Sequence, residues 1–328
     1  MWRSLFRTFR AGAWIYLVLV LLSSATFVLV FRSATAQGPV GPRPVPTFWA
    51  GDEPITPIPM PPAADPLVLS LGEQLFADPR LSHDGKLTCL TCHDTSADGR
   101  SNPHAGKGWP YSFNTLSVFD AALSFRLNWE GNFRSLEAQI ESALENPVNL
   151  NTSVAEVLQK LDADPQMAHR FIAAYGRPPD RASLLDAVAT FERSLLTPDS
   201  QFDLWLGGDA SALSAKELEG YRLFKSFGCI SCHQGVNVGG NLFQRHGIFH
   251  PLASPNPAIL RVPSLRNVAT RAPYFHDGSA PTLADAVRKM GAAQLDRTLS
   301  DQQVDEIIAF LNTLTGAYRG RRLVGASQ

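Results

Sequence analysis

The pentapeptide Cys89-Leu90-Thr91-Cys92-His93 decides how this chain folds, because it recurs as Cys229-Ile230-Ser231-Cys232-His233. In a Cys-x-x-Cys-His segment the two thiols attach haem covalently and the adjacent histidine ligates its iron. The two copies contain all four cysteines of the protein. Two disulfides would place a histidine after each cysteine pair only by coincidence. The sequence therefore predicts two covalently bound haem c groups, with His93 and His233 as iron ligands.

The size and charge of the chain limit its class. A length of 328 residues favours about two domains, and 45% hydrophobic residues are enough for real cores. Four of the 29 basic residues lie in the first 36 residues, which contain no acid, so the remainder has 25 basic and 30 acidic residues. Such a mildly acidic body is not expected to bind nucleic acid and attracts a basic partner only weakly.

The N-terminal segment predicts export. Residues 11–31 carry no charge, follow three arginines and are long enough to span a bilayer. Ala34-Thr35-Ala36 fits the cleavage site of a signal peptide. Residues 1–36 are therefore either a cleaved signal or a membrane anchor, and both place the haem-bearing part in the periplasm. Residues 37–66 are rich in proline and predict an extended tether.

The rest of the chain predicts an all-α protein, because no stretch sustains the alternation of a strand. Ser300 and Gln303 form a capping box for the last helix, which Gly316 is predicted to end. Ser153 and Glu156 cap another helix. The apolar face of the last helix consists of Val304, Ile307, Ile308, Leu311 and Leu314. Further helices are predicted over residues 135–144, 166–175, 182–196 and 282–290.

An internal repeat divides this body. Leu75-Phe76 precedes the first haem motif and Leu223-Phe224 the second, each at the end of an amphipathic helix. A helix, a haem motif and a loop that delivers the opposite axial ligand make up the cytochrome c module. The sequence therefore predicts two cytochrome c-like domains in tandem, residues 67–204 and 205–328, joined near Pro198 to Gly208.

The second haem has a candidate sixth ligand in Met290, the only methionine after the second motif. It ends a predicted helix and is followed by Gly291. Methionine raises the potential of a c-type haem, which suits an electron-accepting site. If Met290 is a core residue instead, His246 and His250 are the alternatives.

No equivalent methionine lies near the first motif. Met167 has helical spacing from Phe171, which predicts core packing. His104 and Lys107 lie in a glycine-rich loop after His93, and either is a candidate for the distal face. Two chemically different haems are therefore expected, one six-coordinate and one weakly ligated or open.

From Leu69 to Gly316 the chain resembles the bacterial dihaem cytochrome c peroxidases and their relatives, which include the dihaem enzyme that matures methylamine dehydrogenase. The resemblance implies that the N-terminal haem is peroxidatic and that the C-terminal haem accepts electrons with His233 and Met290 as axial ligands. Its marks are Leu71-Gly72-x-x-Leu75-Phe76-x-Asp78-Pro79-Arg80-Leu81-Ser82, Ala272-Pro273-Tyr274-Phe275-His276-Asp277-Gly278 and Met290-Gly291-x-Ala293-Gln294-Leu295.

The resemblance also implies roles for individual residues. Trp129 corresponds to the tryptophan between the two haems, an electron relay, and Gln139 to the glutamine of the active site. Asn114 corresponds to the side-chain ligand of a calcium ion that bridges the domains, to which Arg271 and Pro273 contribute backbone carbonyls.

Two positions depart from the family. Its Asn-Pro-x-Glu run, which supplies the acid–base glutamate, is here Asn146-Pro147-Val148-Asn149. An amide can hydrogen-bond peroxide but cannot take its proton, so Asn149 puts the activity in doubt; Glu145 or Glu141 are the substitutes available nearby. In addition, the histidine of the family's His-Gly-Trp loop is here Lys107.

The leading expectation is a periplasmic dihaem oxidoreductase that reduces hydrogen peroxide with electrons from a small donor protein, a cytochrome c or a cupredoxin. A homodimer is a candidate assembly. Two alternatives remain open: a dihaem enzyme that oxidises a protein or a small organic substrate, and an electron-transfer or redox-sensing cytochrome without turnover. An open first haem that reacts with peroxide favours an enzyme, whereas two closed haems favour the last alternative.

Overall fold

The computed structural model of the chain describes residues 53–93, 95 and 113–324. These residues belong to one compact unit that spans residues 49–328. The predicted signal or anchor, residues 1–36, lies outside the described residues. Within the described ranges, no helix has both the length and the apolar character needed to cross a membrane.

Helices dominate the described part, as predicted, and fall into two groups along the chain. The first group precedes residue 200, and the second follows it. The helices of the first group are α1 (Pro66–Phe76), α2 (Cys89–Cys92), α3 (Leu136–Glu145), α4 (Val154–Asp162), α5 (Pro165–Tyr175) and α6 (Arg181–Ser194). Those of the second are α7 (Gln201–Leu206), α8 (Ala215–Ser226), α9 (Leu283–Leu295) and α10 (Asp301–Asn312).

Short strands qualify the expectation of an all-α protein. Strand β1 (Phe243–Arg245) pairs antiparallel with β2 (Ile259–Arg261), and β3 (Ala317–Tyr318) pairs antiparallel with β4 (Arg321–Arg322). Each strand has two or three residues, which is too short to produce a readable alternation in sequence. The β1–β2 pair lies in the loop after the second haem motif.

The predicted helix starts are confirmed by their caps. Ser300 and Gln303 form a reciprocal capping box at the start of α10, and the Ser153 side chain accepts a hydrogen bond from the Glu156 backbone N–H at the start of α4. The predicted role of Gly316 is wrong, because α10 ends at Asn312 with Thr313 as its cap. A side chain at Gly316 would overlap the Thr197 carbonyl, so this glycine permits a close backbone approach.

Each module is built around one crossed helix pair, α1 with α6 and α8 with α10. Gly72 of α1 lies against the Ala187 carbonyl, and Gly220 of α8 lies against the Glu306 carbonyl, so closely that a Cβ at either glycine would overlap that oxygen. The buried Phe191 and Phe310 occupy equivalent places beside these crossings. Two hydrophobic cores result, one around each pair.

The segment between the modules and the end of the proline-rich segment both pack into the second core. Within residues 198–208, Phe202 and Leu206 of α7 are buried there. Likewise, the end of the proline-rich segment is not a free tether. Ile55 is fully buried in the second core, and the Thr56 carbonyl accepts a 2.8 Å hydrogen bond from Arg266.

Equivalent residues meet at the boundary between the modules. Asp120 and Asn267 have the same left-handed φ of 59°, and the Asn267 amide donates to the Asp120 carboxylate at 3.0 Å. The Thr197 N–H donates to Asp120 at 2.8 Å, and the Gly316 N–H donates to the Asn267 side-chain oxygen at 3.0 Å. This buried network joins equivalent positions of the two modules directly to each other.

Candidate functional site

Both Cys-x-x-Cys-His motifs line one cavity of about 1380 Å³. Cys89, Cys92 and His93 line one end, and Cys229 and His233 line the other. Cavities that hold one small molecule are typically about 300–1,000 Å³. The space therefore fits two large prosthetic groups, one attached at each motif.

Local backbone structure turns each histidine back toward its cysteines. Thr88 and Thr91 form a capping box that starts α2, and the His93 N–H donates to the Cys89 carbonyl at 2.8 Å. In the second motif the His233 N–H donates to the Cys229 carbonyl at 3.0 Å. No disulfide joins any of the four cysteines.

Both histidines have the protonation state of a metal ligand. Burial lowers the pKa of His93 and of His233 to about 4, so both imidazoles are neutral at physiological pH. The Nδ1 of His233 lies 3.3 Å from the Val238 carbonyl, to which it donates as N–H. This hydrogen bond selects the tautomer whose Nε2 carries the free lone pair, as is usual for a histidine that ligates a metal.

The thiols lack the features of thiolate sites. Burial raises the pKa of Cys89 to about 12 and that of Cys229 to about 11. Reactive or metal-binding thiolates instead have lowered pKa values. Because the two motifs contain all four cysteines, we expect the mature protein to carry two covalent haem groups and no titratable thiol. Mass spectrometry of the denatured protein checks this, and a mass with one haem, or haem extractable by acid-acetone, would contradict it.

Two arginines of the cavity have buried nitrogen atoms that a carboxylate of haem could pair with. The Arg261 Nη1 and the Arg271 Nε are buried without a hydrogen-bond partner, and neither guanidinium is ion-paired within the described ranges. Burial lowers the pKa of each to about 10, which still leaves both charged at neutral pH. Burying a charged group without a partner costs free energy of folding. Since both residues line the cavity, the propionate carboxylates of haem are suitable partners, and the residues fit the group.

The repeat explains why the two irons have different surroundings. Leu127 bridges Phe133 as Tyr274 bridges Ala280, and Ser135 and Thr282 cap the helices that follow, α3 and α9. Each of these residues of the second module follows its counterpart in the first module by the same number of positions. By this register Met290 corresponds to Ala143.

Met290 and Ala143 both line the cavity, but only methionine can ligate a metal. The expectation that Met290 ends its helix is wrong, since α9 continues to Leu295. The alternatives for this ligand are engaged elsewhere. The His246 Nε2 lies 2.7 Å from the Pro257 carbonyl, and the His250 Nε2 lies 2.9 Å from an Asp296 oxygen.

Gln139 and Asn149 line the cavity at the first motif. Asn149 is exposed and lies in the turn after α3, where its N–H donates to the Asn146 carbonyl at 3.0 Å. The suggested substitutes do not line the cavity: Glu145 is exposed, and Glu141 forms an ion pair with Arg181. His104 and Lys107, the candidates for a sixth ligand, lie outside the described residues.

Trp129 lies where the two modules meet. Its indole N–H donates to the Asn114 carbonyl at 2.8 Å, and its ring centroid is 6.2 Å from that of His276. By the register of the repeat, His276 is the counterpart of Trp129, and a second histidine ring, that of His246, lies 5.0 Å beyond it. Trp129 also lines the cavity that both motifs share.

Two of the three residues predicted for calcium are in contact. The Asn114 amide lies 2.6 Å from the Pro273 carbonyl and 3.4 Å from that of Phe275. The amide nitrogen of Asn114 faces these two carbonyl oxygens. A cation at this position would require the side-chain amide to rotate by half a turn, so that its oxygen faces the ion. Arg271 lies two residues before Pro273. In the described part, no group of three acidic, histidine or cysteine side chains forms a metal site.

Sequence reasoning missed Glu192, a buried acid that also lines the cavity. A signal was available. Glu192 lies at helical spacing between Val188 and Leu195, on the apolar face of α6, where a charged residue is unusual. Arg261, Arg271 and His276 had no such signal, because loops place them in the cavity.

Comparisons with known proteins agree with this architecture. A family model described as di-haem cytochrome c peroxidase matches residues 67–211, and a cytochrome c model matches residues 218–315. The chain is 39% identical to cytochrome c551 peroxidase of Nitrosomonas europaea over 81% of this chain and 85% of that protein. It is 36% identical to cytochrome c551 peroxidase of Pseudomonas aeruginosa over 75% of this chain and 78% of that protein.

Among solved structures, a MauG-like protein associated with microbial copper homeostasis matches the fold with a TM-score of 0.66. The two chains are 26% identical, and the match covers 79% of this chain and 93% of the other. The similarity spans both modules in sequence and in structure.

Proposed function

Because the chain belongs to the di-haem cytochrome c peroxidase family, we propose that it reduces hydrogen peroxide with electrons from a small carrier protein, a cytochrome c or a cupredoxin. The chain is an oxidoreductase that carries two haem c groups. The observation that supports the proposal best is the unequal pair in the shared cavity, Met290 at one motif and Ala143 at the other. In this proposal the His233 site receives the electrons, and the His93 site offers a face to peroxide.

The residues of the chain have distinct tasks in this proposal. Bound haem supplies one-electron redox chemistry and, where a coordination position is open, a place for peroxide at the iron. His233 and Met290 would hold the electron-accepting iron, and His93 would hold the other iron. Gln139 and Asn149 offer amide N–H groups to a peroxide oxygen, but neither can remove a proton from it.

Trp129 is proposed as the relay between the two sites. It lines the cavity that both motifs share, and its N–H donates to the Asn114 carbonyl. Asn114, Pro273 and Arg271 are proposed as calcium ligands that stabilise this boundary, with the Asn114 amide turned so that its oxygen faces the ion.

Location and assembly are proposed from the sequence. Residues 1–36 export the chain, so that haem attachment and electron donation take place in the periplasm, either at the membrane or in solution. A homodimer is the proposed assembly. The donor protein is expected to dock on the second module, close to the haem held by His233.

A second candidate function is supported by Asn149. A site without a positioned carboxylate handles the protons of peroxide poorly, and the same redox equipment can then oxidise a protein or a small organic substrate. The similarity to a MauG-like protein is compatible with such a substrate. An electron-transfer protein without turnover is the remaining alternative, and it requires both irons to be closed.

The optical spectrum of the oxidised and half-reduced protein, with and without peroxide, tests these functions. We expect the first haem to be high-spin or water-bound as isolated and to bind cyanide before the second haem is reduced. Peroxide should change its spectrum, and a reduced cytochrome should restore it. A first haem that resists cyanide and peroxide would contradict the proposal and indicate two closed irons.

A further inference from the structure

Glu192 is a carboxylic acid enclosed at the first haem site. It lies in the last turn of α6, its side chain is almost completely buried, and it lines the cavity together with Cys89. The negative charge of Glu192 is one reason why the pKa of the Cys89 thiol is raised. The carboxyl is therefore within electrostatic range of the atom to which the first haem is attached.

The second module shows that this carboxyl is not needed to build the fold. The helix crossing of Gly72 with Ala187 repeats as that of Gly220 with Glu306, and Phe191 repeats as Phe310. The next position is Glu192 in the first module and Leu311 in the second. Leu311 is also buried and lines the cavity. The equivalent position in the cavity lining is thus a leucine in one module and a glutamic acid in the other.

Within the described residues, Glu192 has no ion-pair partner. The charge of Arg193 favours the carboxylate of Glu192, but Arg193 is paired with Glu137, whose own charge opposes the ionisation of Glu192. The other packed helices contribute three further ion pairs: Glu73 of α1 with Arg319, Glu141 of α3 with Arg181, and Glu156 of α4 with Lys160. The remaining charged residues of these helices, Glu145 of α3 and Asp162 of α4, are acids and supply no cation. Burial, aided by Glu137, raises the pKa of Glu192 to about 8. The carboxyl is therefore mostly protonated at neutral pH while the site holds no further charge.

We propose that the Glu192 carboxyl is a redox-linked proton site of the first haem. When the first haem gains one electron, supplied by oxidation of the second haem, the Glu192 carboxylate binds one proton from the solvent. When the first haem loses that electron, the carboxyl releases the proton. The physical reason is Coulombic: the additional positive charge of the oxidised haem favours the carboxylate, and its loss on reduction favours the neutral acid.

The direction of the pH dependence follows from this coupling. Glu192 has a lower pKa when the haem is oxidised than when it is reduced. Between these two values, reduction takes up a proton, and the potential of the first haem falls as pH rises. Outside this interval Glu192 does not change its charge on reduction and contributes no slope. This behaviour requires the first haem but not turnover of peroxide, so it can fail or hold independently of the proposed peroxidase activity.

Spectroelectrochemical titration of the first haem over a range from about pH 5 to about pH 10, which brackets the raised pKa, is the test. We expect the wild-type potential to fall by up to about 59 mV per tenfold decrease in proton concentration, the one-electron value. In Glu192→Gln this slope should be lost or strongly reduced, while the second haem is unchanged. Glu141→Gln is the control, because Glu141 does not line the cavity, and it should keep the slope. An unaltered slope in Glu192→Gln would overturn the proposal.

A second variant and a second measurement guard against misfolding. Glu192→Leu gives the first module the residue that the second module has, so it should fold and also lack the slope. Redox-induced infrared difference spectra should show a protonated carboxyl that appears on reduction of the first haem in the wild-type protein and in Glu141→Gln. If that signal remains in Glu192→Leu, another group carries the proton and the assignment to Glu192 is wrong.

Discussion

Peroxidase turnover is expected to rise when Asn149 is replaced by glutamate. The side chain at this position reaches the cavity at the first motif, and a carboxylate there can take a proton from peroxide, which an amide cannot. Positioned general bases are worth about 10²–10⁴-fold in rate, which sets the upper range for Asn149→Glu. Steady-state oxidation of a reduced cytochrome by peroxide measures the change.

Two controls make this result specific. Asn149→Gln keeps an amide on the longer side chain, so it should not raise turnover. Glu145→Gln removes an exposed carboxylate that does not line the cavity, and it should leave turnover unchanged. If the native chain already turns over rapidly and Glu145→Gln slows it, Asn149 is not the limiting position and Glu145 is the base.

Replacing Met290 by alanine is expected to lower the potential of the second haem and to stop electron uptake from the donor protein. Axial ligands set haem potentials over a span of about 0.8 V, and methionine lies toward its upper end. The variant gives the second module the residue that the first module has at this register, Ala143. Redox titration and the loss of any sulfur-to-iron charge-transfer band measure the effect.

Met167→Ala is the matched control, because it removes a methionine that is 1% exposed in the first core. This variant should lower the free energy of unfolding by about 2–5 kcal/mol, the usual cost of such a truncation. The potentials of both haems should stay close to those of the wild type. An unchanged potential in Met290→Ala would mean that Met290 is not a ligand.

Much of this architecture could be predicted because local patterns determine it. The haem motifs, the caps of α4 and α10 and the core position of Met167 depend on residues close together in the chain. The difference between the haems could also be predicted, because Met290 is the only methionine after the second motif and no equivalent methionine lies near the first. These features required no knowledge of which segments meet in space.

The errors concern contacts between distant segments. Gly316 was predicted to stop a helix, but its use is the close approach to Thr197, far away in sequence. Ile55 was assigned to a tether, although a distant core buries it. The charge of Glu192 on an apolar helix face was visible in the sequence, but only the packed structure places it beside Cys89 and without a neutralising cation.

The hydrogen bonds between Asp120 and Asn267 have a consequence for how the two modules can differ. Equivalent positions of the two modules meet here, as equivalent residues do in the isologous contact of a symmetric dimer. In a symmetric dimer the two residues would be identical, and a pair of aspartates would repel each other. Within one chain the two positions are free to differ, so that an asparagine in one module donates to the aspartate of the other at 3.0 Å.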